Sequence, residues 1–205
     1  VKAVWIMVSA AAAAFFVLFS PWTKPSIPFF SLMTLTAFSL AAVSLLLQRK
    51  QGRDSYAFNA ATIPIGILSA VFLYGVFWLG HFLSIRLLPF AAEQVDSIYT
   101  IRAGLDSWVV AGLLLFVIGP AEEIFWRGFV QKRLSNKYGV LIGLIFATAV
   151  YALVHVWSFN FMLLAASAVC GAFWGLLFAA TGRLWPVIIC HALWDVAIFI
   201  LWPIT

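Results

Sequence analysis

This chain repeatedly runs for about twenty positions with almost no charge, the length a helix needs to cross a bilayer core of about 30 Å. Trp108-Val-Val-Ala-Gly-Leu-Leu-Leu-Phe-Val-Ile118 carries none at all. Seven such apolar runs fall near 4–19, 28–47, 63–88, 108–129, 138–157, 159–180 and 184–202. Within 205 residues, 65% are hydrophobic and 9% charged, against about 25% charged in a soluble domain. That composition excludes a soluble globular protein. The runs are continuous and lack the two-residue alternation of barrel strands, which excludes a β-barrel. The expected fold is all-α: a polytopic transmembrane helix bundle of about seven spans, forming a single transmembrane domain over 1–205.

The net charge of +5 resembles a nucleic-acid signal only until it is mapped. With seven spans, Lys2, Arg49, Lys50, Arg53, Lys132, Arg133, Lys137 and Arg183 fall on one side, and Lys24, Arg86 and Arg102 on the other. The positive-inside rule then places the N-terminus in the cytoplasm. Trp5, Trp22, Trp108, Trp157, Trp185 and Trp202 lie near run ends, where interfacial aromatics belong. Pro-Trp-Thr-Lys-Pro at 21–25 follows the first run without a cleavage site, so that run is expected to be a retained span. The segment 89–107, with Glu93, Asp96, Arg102 and Asp106, is expected to be amphipathic and to lie at the surface. Cys170 and Cys190 fall inside spans and are expected to pack as small apolar side chains. Gly66, Gly75, Gly80, Gly171 and Gly175 are candidates for close helix contacts.

One span breaks the apolar rule. Gly119-Pro-Ala-Glu122-Glu123-Ile-Phe-Trp-Arg127-Gly128 sets two carboxylates and a guanidinium at membrane depth, where each charge costs about 2.5–3.5 kcal/mol on insertion scales. Glu123 and Arg127 are spaced i,i+4 with the acid first, the better order for an ion pair. Glu122 sits about 100° further round the helix, so the arginine can hold Glu123 and leave Glu122 facing elsewhere. His155 closes Tyr151-Ala-Leu-Val-His155 in the fifth run, and His191-Ala-Leu-Trp-Asp195 lies in the seventh. Ionisable side chains inside a membrane are functional by default. For His81, near Arg86 at the end of the third run, an ordinary interhelical hydrogen bond is expected instead.

Glu122-Glu123-xxx-Arg127, an aromatic-xxx-His at Tyr151–His155 and His191-xxx-Asp195 resemble, in order, the three motifs of the CAAX-protease and bacteriocin-processing family. These are intramembrane endopeptidases and include the Ras-converting CAAX endopeptidase. The resemblance covers about 112–200, within a motif-bearing half at about 108–202. Tyr151 stands where the family usually has Phe, and Asp195 where eukaryotic members carry Asn and prokaryotic ones often Asp. A multi-pass protein of a prokaryotic cell membrane is therefore expected.

The resemblance implies peptide-bond hydrolysis. A buried carboxylate can act as general base near neutral pH, and Glu122 is assigned that role. His155 would share the activated water, and His191 would donate to the oxyanion. Asp195 would stand behind His191 and orient it, or itself be protonated. Glu123 and Arg127 would form a structural ion pair. No cofactor is expected. Zn²⁺ on Glu122, His155 and His191 is the alternative, although the His-Glu-xx-His pair that preforms a zinc site is lacking. The expected partners are a peptide or membrane-protein substrate and the lipid bilayer, with no nucleic acid. Two other functions remain open: a non-catalytic peptide-binding or bacteriocin-immunity protein on the same fold, and a proton-coupled transporter.

Overall fold

The structure, a computed structural model, describes residues 1–23, 26, 28–48, 53–102 and 105–205, with Arg53 described by its backbone alone. Every regular element among them is helical. The helices are α1 (Lys2–Phe19), α2 (Phe29–Gln48), α3 (Thr62–Leu87), α4 (Ala91–Tyr99), α5 (Ser107–Tyr138), α6 (Val140–Leu153), α7 (Phe161–Thr181) and α8 (Trp185–Leu201). Six are long and apolar enough to cross a membrane, and α8 is a shorter apolar helix. The chain is a multi-pass helical bundle, as the apolar runs require.

Local chemistry sets the helix ends. The Asp106 carboxylate accepts from the amides of Trp108 and Val109 at 2.8 and 3.1 Å, capping α5. Asn160 caps α7 through the Leu163 amide at 2.8 Å. Gly139 (φ 91°) and Gly182 (φ 64°) adopt left-handed backbone at the ends of α5 and α7, a conformation that costs glycine nothing. The first lets α6 start one residue after α5 stops. The runs 108–129 and 138–157 shift accordingly: α5 continues to Tyr138, carrying Lys132, Arg133 and Lys137, and regular helix in the next run ends at Leu153.

Helix α8 packs along α3 and against the middle of α5, α6 packs on α7, and α2 lies against α5. Glycine permits only some of these approaches. A Cβ at Gly66 would lie 2.7 Å from Ile189 Cβ, and one at Gly175 2.5 Å from Leu144 Cδ1. Gly75 and Gly80 have nothing within 4 Å, so the close-contact expectation fails for them. Their faces of α3 meet open space, which sequence composition cannot reveal.

The two ends of the bundle differ in charge. At one, Lys132 Nζ donates to Ser55 Oγ at 2.7 Å, Arg133 to the Leu47 carbonyl at 2.6 Å and Arg183 to the Ala57 carbonyl at 3.4 Å. The basic residues counted together in the sequence thus meet in space. Of the others on that side, Arg49, Lys50 and the Arg53 side chain lie outside the described residues, as does Lys24 of the opposite side. At the opposite end, α4 is amphipathic as expected, with Glu93 and Asp96 exposed and Val95, Ile98 and Tyr99 turned inward. Gln94 ties α4 to the start of α7 through Asn160 and the Met162 amide, at 2.7 and 3.0 Å.

Candidate active site

Pro120 has no amide hydrogen, and its ring crowds the carbonyl one turn back, so the turn before it cannot keep regular α-helical bonding. In α5 the turns widen on both sides of the acidic pair: Leu114–Ile118 and Ile124–Gln131 follow π geometry around a regular turn at Gly119–Glu123. The Gly119 amide reaches back five residues to the Leu114 carbonyl. Wide turns of this kind gather at functional sites because they re-aim side chains. Gly119 itself faces the Ala192 backbone of α8, where a Cβ would sit 3.3 Å from Ala192 Cα. The acidic turn therefore approaches the helix that carries His191.

Glu123 is fully buried and Arg127 nearly so. Arg127 Nη1 donates to Glu123 Oε1 at 2.7 Å, the i,i+4 pair anticipated from spacing. The same oxygen lies 2.7 Å from His191 Nδ1, while Glu123 Oε2 is buried without a partner among the described residues. Arg127 also reaches the Gly171 carbonyl at 3.3 Å, with its guanidinium 4.8 Å from the Tyr151 ring centre. The His191 ring stacks on Trp174, centres 3.7 Å apart and planes 18° apart. Carboxylate and indole together fix the imidazole in position and plane.

Held so, His191 presents Nε2 on its other edge, 3.4 Å from Asp195 Oδ2 and 4.0 Å from Glu122 Oε2. Asp195 therefore does not stand behind His191: Glu123 occupies that position, and Asp195 shares the Nε2 edge with Glu122. The reason is the ion pair on α5, which draws Nδ1 toward it. Glu122 Oε2 lies 3.4 Å from the Tyr151 hydroxyl. His155, just past the end of α6, bonds the Tyr151 carbonyl through Nδ1 at 2.8 Å. A carbonyl only accepts, so Nδ1 carries a hydrogen and Nε2 is left free of the helix. Phe15 and Phe19 of α1 pack on that ring, 5.1 and 5.3 Å centre to centre.

Glu122, Tyr151, His155, His191 and Asp195 line one cavity of about 450 Å³. Its remaining wall is mainly apolar, with Phe30, Met33, Phe77 and Ile98 among its residues, and runs out to α4. Six ionisable groups from three spans thus share one site instead of facing lipid, as desolvation cost demands. His81 departs from the sequence reading. It is on the cavity wall, and its buried Nδ1 has no hydrogen-bond partner among the described residues. Sequence reasoning missed Trp174 and the Tyr151 hydroxyl. The signal for Trp174 was its place in mid-span, where an interfacial tryptophan does not belong.

Among the described residues no three His, Cys, Asp or Glu side chains are arranged to hold a metal ion. Nδ1 of both site histidines is bonded to a protein oxygen, which leaves Nε2 as the open nitrogen of each ring.

Fold and site together define a multi-pass membrane protein with a buried carboxylate–histidine centre opening into an apolar cavity. The family model described as type II CAAX prenyl endopeptidase Rce1-like matches residues 104–197, the stretch that carries all three motifs. The match over that stretch supports the CAAX-protease and bacteriocin-processing family, and with it a CAAX-type intramembrane protease in general. No curated protein and no solved structure matches the chain.

Proposed function

We propose that the protein hydrolyses a peptide bond in a membrane-embedded or membrane-associated substrate, with Glu122 as general base and no metal ion. The observation that carries this reading is the unequal treatment of two adjacent carboxylates. Glu123 is committed to Arg127 and His191, whereas Glu122 faces the cavity with His191 Nε2 4.0 Å and the Tyr151 hydroxyl 3.4 Å away. Water between Glu122 and His155 would lose its proton to the carboxylate as it attacks the scissile carbonyl. His191, as an imidazolium with hydrogens on both ring nitrogens, would donate from Nε2 to the oxyanion, where one well-placed donor is worth about 2.7–4 kcal/mol. Glu122 would then return the proton to the departing amine, closing the cycle.

Asp195, beside the same nitrogen, would steer the His191 ring toward the cavity. The apolar wall favours a substrate with a hydrophobic segment next to the scissile bond. For orientation, the basic end with Lys132, Arg133, Lys137 and Arg183 is assigned to the cytoplasm.

The test uses purified protein in detergent and a quenched peptide with an apolar flank. Cleavage is expected to survive strong chelation in metal-depleted buffer. Loss of cleavage on chelation, its return with Zn²⁺ and about one bound equivalent would instead establish metal catalysis.

A further inference from the structure

The Tyr151 hydroxyl has no partner in the helix that carries it; the acceptor it faces is Glu122, on α5. We infer that Tyr151 is the positioning residue for Glu122, its hydroxyl donating to Oε2 and holding the carboxylate toward the cavity. This rests on the assignment of Glu122 as general base.

The ring that carries this hydroxyl is held on every side. Trp126 meets it edge-on at 5.2 Å, Trp174 at 6.4 Å and His155 at 5.3 Å, and the Arg127 guanidinium lies 4.8 Å from its centre. On α7, a Cβ at residue 171 would stand 3.0 Å from Tyr151 Cδ1, so the glycine there makes the room the ring fills. A phenol held so firmly has little freedom to point its hydroxyl elsewhere. Its distance from Glu122 Oε2, 3.4 Å, is long for an O–H···O bond, and unliganded sites commonly hold such bonds loosely before substrate tightens them. The same residue bonds His155 through its carbonyl at 2.8 Å. Tyr151 thereby links the two groups assigned to the water, one through its side chain and one through its backbone. The backbone link is open to any residue at this position. The hydroxyl link is particular to tyrosine and absent from a phenylalanine.

Tyr151→Phe keeps the ring and its cage and removes the donor. The expected result is a kcat about five- to tenfold lower, the size of one hydrogen bond, with KM within about twofold and an unchanged unfolding temperature. A second readout needs no catalysis. In pH-induced infrared difference spectra, the carboxyl band that disappears in Glu122→Gln is expected to shift in Tyr151→Phe, because a carboxyl group's stretch responds to losing a donor. An unshifted band, or a kcat equal to that of the unaltered protein, overturns the inference. If the band shifts while Glu122→Gln retains full cleavage, the contact stands and the general-base assignment fails.

Discussion

Glu122 and Glu123 are the same residue type one position apart, and everything that separates them comes from neighbouring helices. Glu123 carries two short contacts on one oxygen, from Arg127 and His191. Replacing it by Gln leaves Arg127 buried without a counter-charge, a change that typically costs about 3–5 kcal/mol. Glu123→Gln is therefore expected to lower the unfolding temperature in detergent as well as activity; a variant as stable as the parent would contradict the scaffold role. The Glu123–Arg127 pair was legible from its i,i+4 spacing alone. The His191–Glu123 contact was not, because it joins positions 68 apart in sequence on two helices. The same blindness put Asp195 behind His191. Spacing places the two on one helix face but is silent about which ring nitrogen a neighbouring helix will claim.

Among the elements, α3 offers a controlled comparison. Gly66 and Gly75 look alike in sequence, yet Gly66 faces Ile189 and the Pro186 carbonyl of α8, while Gly75 faces open space. Gly66→Ala drives a Cβ to 2.7 Å from the branched, rigid Ile189 side chain, an overpacking expected to cost about 1–3 kcal/mol. Gly75→Ala meets nothing and gains helix propensity, by about 0.8–1 kcal/mol. Thermal unfolding of the two variants should thus move in opposite directions, and equal destabilisation would contradict the packing of α3 on α8. Hydrophobic run length revealed these helices well because the bilayer imposes a length on each. It could not reveal the wide turns around Pro120, nor the early end of regular helix at Leu153. Both depend on how backbone carbonyls are satisfied once neighbouring helices are in place.

At the scale of the molecule, the charge difference between the ends was readable from the loops, since each basic cluster is local in sequence. With the basic end in the cytoplasm, Asp96→Cys on α4 should react with an impermeant thiol reagent in intact cells, whereas Asn136→Cys should react only after lysis. Both positions are exposed, and the two native cysteines are buried; the reverse pattern would invert the proposed orientation. The convergence of three polar spans on one cavity was foreseeable from desolvation cost, though the shape of the cavity was not. The central claim is that this convergence makes a protease driven by one carboxylate. Its most direct measurement is the cleavage rate of a quenched, apolar-flanked peptide by the purified protein and by Glu122→Gln, with circular dichroism and unfolding temperature matched between them. The variant is expected to be equally folded, with cleavage lower by about 10²-fold or more, the contribution of a positioned general base. Cleavage by that variant at near the parent rate would contradict the central claim.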